Sequence, residues 1–202
     1  MIKNIVFDMG NVLLRFEPEL FLDRWTHDEQ DRALLRREVF RSVEWAMMDR
    51  GTLDEPEAEA RILPRLPERL HKAAKGLIEQ WDEPMLPVEG MLELVQGLKA
   101  AGYRTYLLSN ASHRQHIYSQ KCEAIGLLDG KLISADVQLV KPDPQIYRIF
   151  LDRFGLKANE CVFIDDTPIN VEGAVHEGME GIVFHLDAAE LRQKLAALGV
   201  VF

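Results

Sequence analysis

Apolar residues along the chain follow two distinct rhythms. In the first, short apolar runs carry β-branched and aromatic residues and end abruptly in polar ones: "NIVF" before Asp8, "YRTYLL" (103–108), "KLISA" (131–135), "CVFID" (161–165) and "GIVFH". Such runs predict buried strands. Helical spacing lies between them. Residues 88, 91, 92, 95 and 98 are apolar, and Gly102 is a natural C-terminal stop. A helix is predicted over 112–125. Asp143 caps another, with Pro144 at its first position and Gly155 at its end. Thr167 caps a third, running from Pro168 to near Gly178, and residues 188–198 form the last. Strands alternating with helices of this length imply right-handed crossovers, hence an α/β, Rossmann-like parallel sheet with helices on both faces.

Residues 16–84 keep the second rhythm alone. They show helical periodicity, caps such as Asp54 with Glu57 three places on, and Pro64 and Pro67 as breaks, but no convincing strand. The organisation predicted is a core domain of residues 1–15 and 85–202 with an inserted helical cap domain, 16–84, perched on the C-terminal edge of the sheet.

Composition narrows the partners. The chain has 202 residues, 47% hydrophobic and 28% charged, as for a soluble globular protein, and no run approaches the roughly 18 apolar residues of a membrane span. "MIKNIVF" passes straight into a strand without a signal-peptide layout, so a cytoplasmic location and no membrane partner are expected. A net charge of −9 argues against nucleic acid as a partner. The basic cluster Arg32, Arg36, Arg37 and Arg41 reads as a solvated helix face among acids. Cys122 and Cys161 lack a C-x-x-C context and read as buried free thiols; His113 and His116 read as a helix surface.

The chemistry sits where the strands end, because open α/β sheets bind ligands beyond the carboxyl ends of their strands. Asp8 follows the first strand, Ser109 and Asn110 the second, Lys141 the third, Asp165 and Asp166 the fourth. Converging like charges repel, and packing gives nothing in return. A hard divalent cation relieves the repulsion, and oxygen ligands suit Mg2+. Lys141 and Ser109 then offer donors to an anion facing the metal, which is the makeup of a phosphoryl-transfer site.

"FDMGNVLL", "LLSN", "VKPDPQIY" and "VFIDDTPINVEGA" resemble, in order, the four motifs of the haloacid dehalogenase superfamily. The subgroup most similar has D-x-G-N-V in its first motif and includes bacterial α-D-glucose-1-phosphate phosphatases; "EWAMMDRGTLDEPEAE" also resembles that subgroup's cap segment. The resemblance implies that Asp8 is a nucleophile forming an aspartyl-phosphate. It implies Mg2+ on Asp8, the Gly10 carbonyl and Asp166, with Asp165 assisting, and Ser109, Asn110 and Lys141 around the phosphoryl oxygens. The expected function is a magnesium-dependent phosphatase acting on a small phosphorylated metabolite, a sugar phosphate such as a hexose 1-phosphate. Trp45, Met47, Met48 and Arg50 are the cap candidates to face substrate; Trp45 and the two Met residues read as cap core, and Arg50, before a turn at Gly51, is the better candidate.

One position departs from the pattern. Most phosphatases of the superfamily have a second Asp two places after the nucleophile as general acid, and this chain has Gly10. A good leaving group would need less help. The alternative is that another group substitutes, with Asn11, His113, His116 or a cap residue as the choices. A phosphoglucomutase-like phosphotransferase, a haloacid dehalogenase and a catalytically silent phospho-ligand binder are the competing readings.

Overall fold

The computed structural model describes residues 1–83 and 86–202. The expected cap boundary at 84/85 falls outside those residues. Five parallel strands form one sheet: β1 (Asn4–Phe7), β2 (Arg104–Ser109), β3 (Gly130–Ile133), β4 (Cys161–Asp165) and β5 (Glu180–Val183). Their order is β3-β2-β1-β4-β5, which puts β1 at the centre. Its four residues are all buried, as a strand covered on both faces requires. Alternation decides which face each side chain serves. Ile5 and Phe7 join Leu107, Val162 and Ile164 in one layer, whereas Val6 joins Tyr106, Leu108 and Phe163 in the other.

Helix α6 (Met91–Ala100) and the C-terminal helix Ala188–Ala197 cover the first layer through Leu94, Val95, Leu191 and Leu195. The helix Pro144–Phe154 covers the second through Ile146, Tyr147 and Phe150. Asp143 caps it as expected, accepting from the Gln145 N–H at 2.9 Å, and Gly155 ends it in the left-handed region. The predicted helix over 112–125 is instead broken into Gln115–Tyr118, a 3-10 turn at Ser119–Lys121 and Glu123–Gly126. Thr167 precedes its helix without capping it through the side chain. The chain end "LGVVF" folds onto its own domain: Val200 is buried and the Phe202 ring lies 4.2 Å under the Arg192 guanidinium.

Between β1 and α6 the described chain is helical: α1 (Pro18–Asp23), α2 (Glu29–Leu35), α3 (Val43–Arg50), α4 (Glu55–Ile62) and α5 (His71–Glu79), with short turns between. They enclose a core of their own, including Leu22, Leu35, Met48, Ile62 and Leu77. Asp54 caps α4 by accepting from the Glu57 N–H at 2.8 Å. The basic cluster is absorbed locally, Arg32 and Arg36 both pairing with Glu19. Cys122 and Cys161 are buried and free.

Candidate active site

The central strand delivers Asp8 to the rim. The Asp8 N–H donates to the Ile164 carbonyl at 2.8 Å, so the β1–β4 ladder extends one residue past Phe7 and fixes where the carboxylate emerges. Behind it, β4 ends in Asp165, which is fully buried, followed by Asp166 at the surface of the cleft. One oxygen from each of Asp8, Asp165 and Asp166 lies within 4.8 Å of the others, the spacing and donor type of a hard-cation site.

Lys141 is the counter-charge. Its Nζ donates to Asp8 Oδ1 at 2.7 Å, Asp165 Oδ2 at 2.6 Å and the Leu108 carbonyl at 3.0 Å, so all three protons are used. Burial opposes its charge, but Asp8 and Asp165 outweigh it and hold the ammonium above its usual range. Burial pushes the Asp8 carboxyl up to about 6; Lys141 pulls it down and Asp165 adds to the push. Three carboxylates against one ammonium leave two negative charges over, which a divalent cation matches.

The residues around this core are positioning groups. Asn110 accepts from the Lys141 N–H at 2.8 Å and donates to the Lys141 carbonyl at 3.1 Å, locking the lysine backbone. Its amide thus bonds the Lys141 backbone while the residue lines the cleft. Asn170 donates to Asp165 Oδ2 at 3.1 Å, and the Thr167 N–H to Asp165 Oδ1 at 2.8 Å. Asn11 donates to Asp166 Oδ2 at 3.0 Å and accepts from the Phe16 N–H at 2.9 Å. Its φ of 53° is left-handed, a conformation Asn tolerates better than most residues. Asn11 therefore ties Asp166 to Phe16, at the start of the helical segment, a role invisible in the spacing alone.

The cleft above Asp8 holds about 270 Å3. Its floor is Asp8, Gly10, Asn110, Lys141 and Asp166; its walls are Phe16, Trp45, Trp81 and Tyr118. These rings touch one another, Trp81 lying 5.2 Å from Phe16 and 5.0 Å from Tyr118, centre to centre. Met48 is in the cap core, as expected, whereas Trp45 packs against that core and also lines the cleft.

Two expected contacts need correction. Ser109 pairs with Ile133 inside the sheet, is 1% exposed and does not line the cleft; Asn110, Ala111 and Ser112 do. Arg50 is exposed and faces a neighbouring groove with Val43, Met47 and Val140. Successive helical residues point about 100° apart, so at the end of α3 it is Asp49 that turns inward to line the cleft. Nothing in the local sequence marks Asp49 over Arg50 before the position of α3 is known. His113 and His116 face Asp136, at 3.7 and 2.9 Å, away from the cleft.

The haloacid dehalogenase-like hydrolase family model matches residues 2–178. The chain belongs to that family. It is 28% identical over 156 residues to flavin mononucleotide hydrolase 1 of Arabidopsis thaliana, a match covering 77% of this chain and 62% of that protein. It is 33% identical over 117 residues to mouse bifunctional epoxide hydrolase 2, covering 55% of this chain. The match spans only 21% of that relative's length. A family enzyme from Bacteroides thetaiotaomicron, solved in complex with magnesium and inorganic phosphate, superposes with a TM-score of 0.69 at 20% identity, over 95% of this chain and 99% of that one. At that identity the likeness establishes the shared fold.

Proposed function

We propose that this family member is a magnesium-dependent phosphatase that hydrolyses a small phosphomonoester through an aspartyl-phosphate on Asp8. The observation that carries the reading is the Asp8–Asp165–Asp166 trio with Lys141 buried against it. Asp8 and Asp166, with the Gly10 carbonyl and Asp165 in support, would hold Mg2+, which when bound neutralises phosphoryl charge. The name of the Arabidopsis relative and the magnesium and phosphate of the Bacteroides enzyme agree with this assignment.

An Asp8 oxygen forms the bond to phosphorus while the bond to the leaving oxygen breaks. Lys141 offsets charge on Asp8 and holds its orientation. Haloacid chemistry has no use for a cation site beside the nucleophile, and a silent binder has no use for a nucleophile held this way. A cleft of about 270 Å3 falls just below the roughly 300–1,000 Å3 usual for ligand sites, and suits a ligand no larger than a monosaccharide phosphate. The aromatic walls offer flat faces to the C–H side of a sugar ring. A hexose 1-phosphate remains the substrate proposed, and its anomeric leaving oxygen lessens the demand on an acid.

Phosphate release from sugar phosphates, nucleotides, flavin mononucleotide and a 2-haloacid control, with Mg2+ or with chelator, tests this. Metal-dependent phosphate release that Asp8→Asn abolishes is expected, greatest with sugar 1-phosphates. Halide release, or phosphate release untouched by Asp8→Asn, would overturn the mechanism; a preference for flavin mononucleotide would overturn the sugar assignment alone.

A further inference from the structure

The general acid is missing where the motif would place it, and the backbone does not require the omission. Gly10 has no positive φ, and a Cβ there would meet only Phe16 Cβ at 3.8 Å and Asp8 Oδ2 at 3.9 Å. These are ordinary contacts. The floor beside the nucleophile is open, and any proton donor must come from another element.

The carboxylates lining the cleft among the described residues are Asp8, Asp166 and Asp49. Asp8 is the nucleophile. Asp166 belongs to the cation trio and is engaged by Asn11 and by the Thr167 hydroxyl at 3.1 Å. Asp49 has neither duty. Asn11 is spent on Asp166, and His113 and His116 face Asp136.

We propose that Asp49, reaching in from the cap, is the acid–base residue of the reaction. The inference rests on the phosphatase reading and completes it. In the first step Asp8 bonds to phosphorus, the bond to the leaving oxygen breaks, and the Asp49 proton goes to that oxygen, giving neutral alcohol, aspartyl-phosphate and an Asp49 carboxylate. In the second, water oxygen bonds to phosphorus, the Asp8–phosphorus bond breaks, and a water proton returns to Asp49 as phosphate leaves.

The core holds Asp49 in place from two sides. The Ser134 hydroxyl accepts from the Ala111 N–H at 2.9 Å and donates to the Asp49 carbonyl, tying the loop after β2 to the end of α3. The next turn is seated equally closely: Gly51, at φ 76°, packs so tightly that a Cβ would lie 2.3 Å from the Ala135 carbonyl oxygen. A proton donor gains from such fixed geometry.

The charged and polar groups around Asp49 suit it to exchange a proton. Burial pushes its carboxyl up to about 7; the Ser112 amide and the Trp45 indole pull down, and the Asp8 charge adds to the push. The Tyr118 phenol, behind them, is itself pushed well up by burial and by Asp49. Both forms of Asp49 are then populated near neutral pH, where an acid–base catalyst is most effective.

The test is Asp49→Asn, isosteric and with no proton to give, measured with Mg2+ on p-nitrophenyl, phenyl and benzyl phosphate beside wild type and Asp8→Asn. The p-nitrophenolate leaves without a proton, so its kcat/KM should fall only a few-fold. Benzyl phosphate should lose about 10²–10⁴-fold, and the alkaline limb of the wild-type pH profile should vanish. Equal losses across the series, or none, with Asp8-dependent turnover intact, would overturn the role of Asp49 alone. No phosphate release by wild type from any of the esters would overturn the phosphatase reading with it.

Discussion

Lys141 Nζ lies 2.7 Å from Asp8 Oδ1, inside the protein, with Asp165 on its other side. Removing one member of such a buried set leaves charge without compensation, a loss of roughly 3–5 kcal/mol. Lys141→Met should therefore unfold at markedly lower urea concentration than wild type at pH 8, and turnover should collapse. With the ammonium gone, Asp8 holds its proton more tightly, so the defect should shrink as pH falls. A urea midpoint deficit independent of pH would show that packing of the lysine stem, and not its charge, is what matters.

Asp49 makes the opposite prediction for stability. Its carboxyl rises from an ordinary 3.8 to about 7 in the folded chain. The folded state binds that proton more tightly than the unfolded state. Its contribution is therefore fully present below about 3.8 and is lost as pH rises through about 7. In metal-free protein, Asp49→Asn should match wild type near pH 4 and exceed it at pH 8, by on the order of 1–3 kcal/mol. Denaturation curves across that range decide it. A variant less stable than wild type at pH 8 would mean that the ionised carboxylate contributes more than its burial costs.

The cation site predicts a ligand-dependent shift. Mg2+ at about a hundred times its dissociation constant stabilises the fold by roughly 2.7 kcal/mol. Thermal melts should rise with Mg2+ and not with Na+ at matched ionic strength. In Asp166→Asn the rise should fade while the metal-free melting temperature stays near that of wild type, since Asp166 sits at the cleft surface. A rise of full size in that variant would exclude Asp166 from the ligand set.

Much of this site can be read from strand ends alone. Asp8, Lys141, Asp165 and Asp166 each follow an apolar run, and a parallel sheet brings such positions to one rim. What could not be read depends on orientation. Ser109 and Asn110 are adjacent, and only the register with β3 puts Ser109 inside the sheet. Arg50 and Asp49 are also adjacent, and that only Asp49 of the two reaches the cleft follows from where the core grips the end of α3. Phe16, Trp81 and Tyr118 come from distant segments, and no local periodicity announces that they share a wall. The helix predicted over 112–125 has apolar residues at helical spacing, but the spacing does not reveal the break at Ser119–Lys121 or that Ala111 and Ser112 before it line the cleft.

Gly51 is a point of close approach between the cap helices and the core. A methyl group there meets the Ala135 backbone, which cannot turn aside, and the left-handed φ adds roughly 1 kcal/mol of its own. Gly51→Ala should lower stability by about 1–3 kcal/mol and move Asp49. Activity on benzyl phosphate should fall further than on p-nitrophenyl phosphate at temperatures where the variant is fully folded. Equal falls would place the damage in cap closure as a whole.

Gly10→Asp is the converse experiment. A Cβ at this position fits without displacing its neighbours and lies 3.9 Å from Asp8 Oδ2, so the added side chain starts beside the nucleophile. In the Asp49→Asn background it supplies a proton donor from the floor in place of the one removed from the cap. Turnover of benzyl phosphate should recover by at least about tenfold, against a possible 10²–10⁴-fold, with little change for p-nitrophenyl phosphate. The added negative charge also has a cost: the site already carries three carboxylates against one ammonium, so the metal-free double variant should be less stable than Asp49→Asn at pH 8 and regain stability as Mg2+ is added. Recovery restricted to the poor leaving group would show that positions 10 and 49 serve the same proton. Recovery of neither substrate, in a folded and metal-binding variant, would mean that the floor and the cap address different faces of the leaving oxygen.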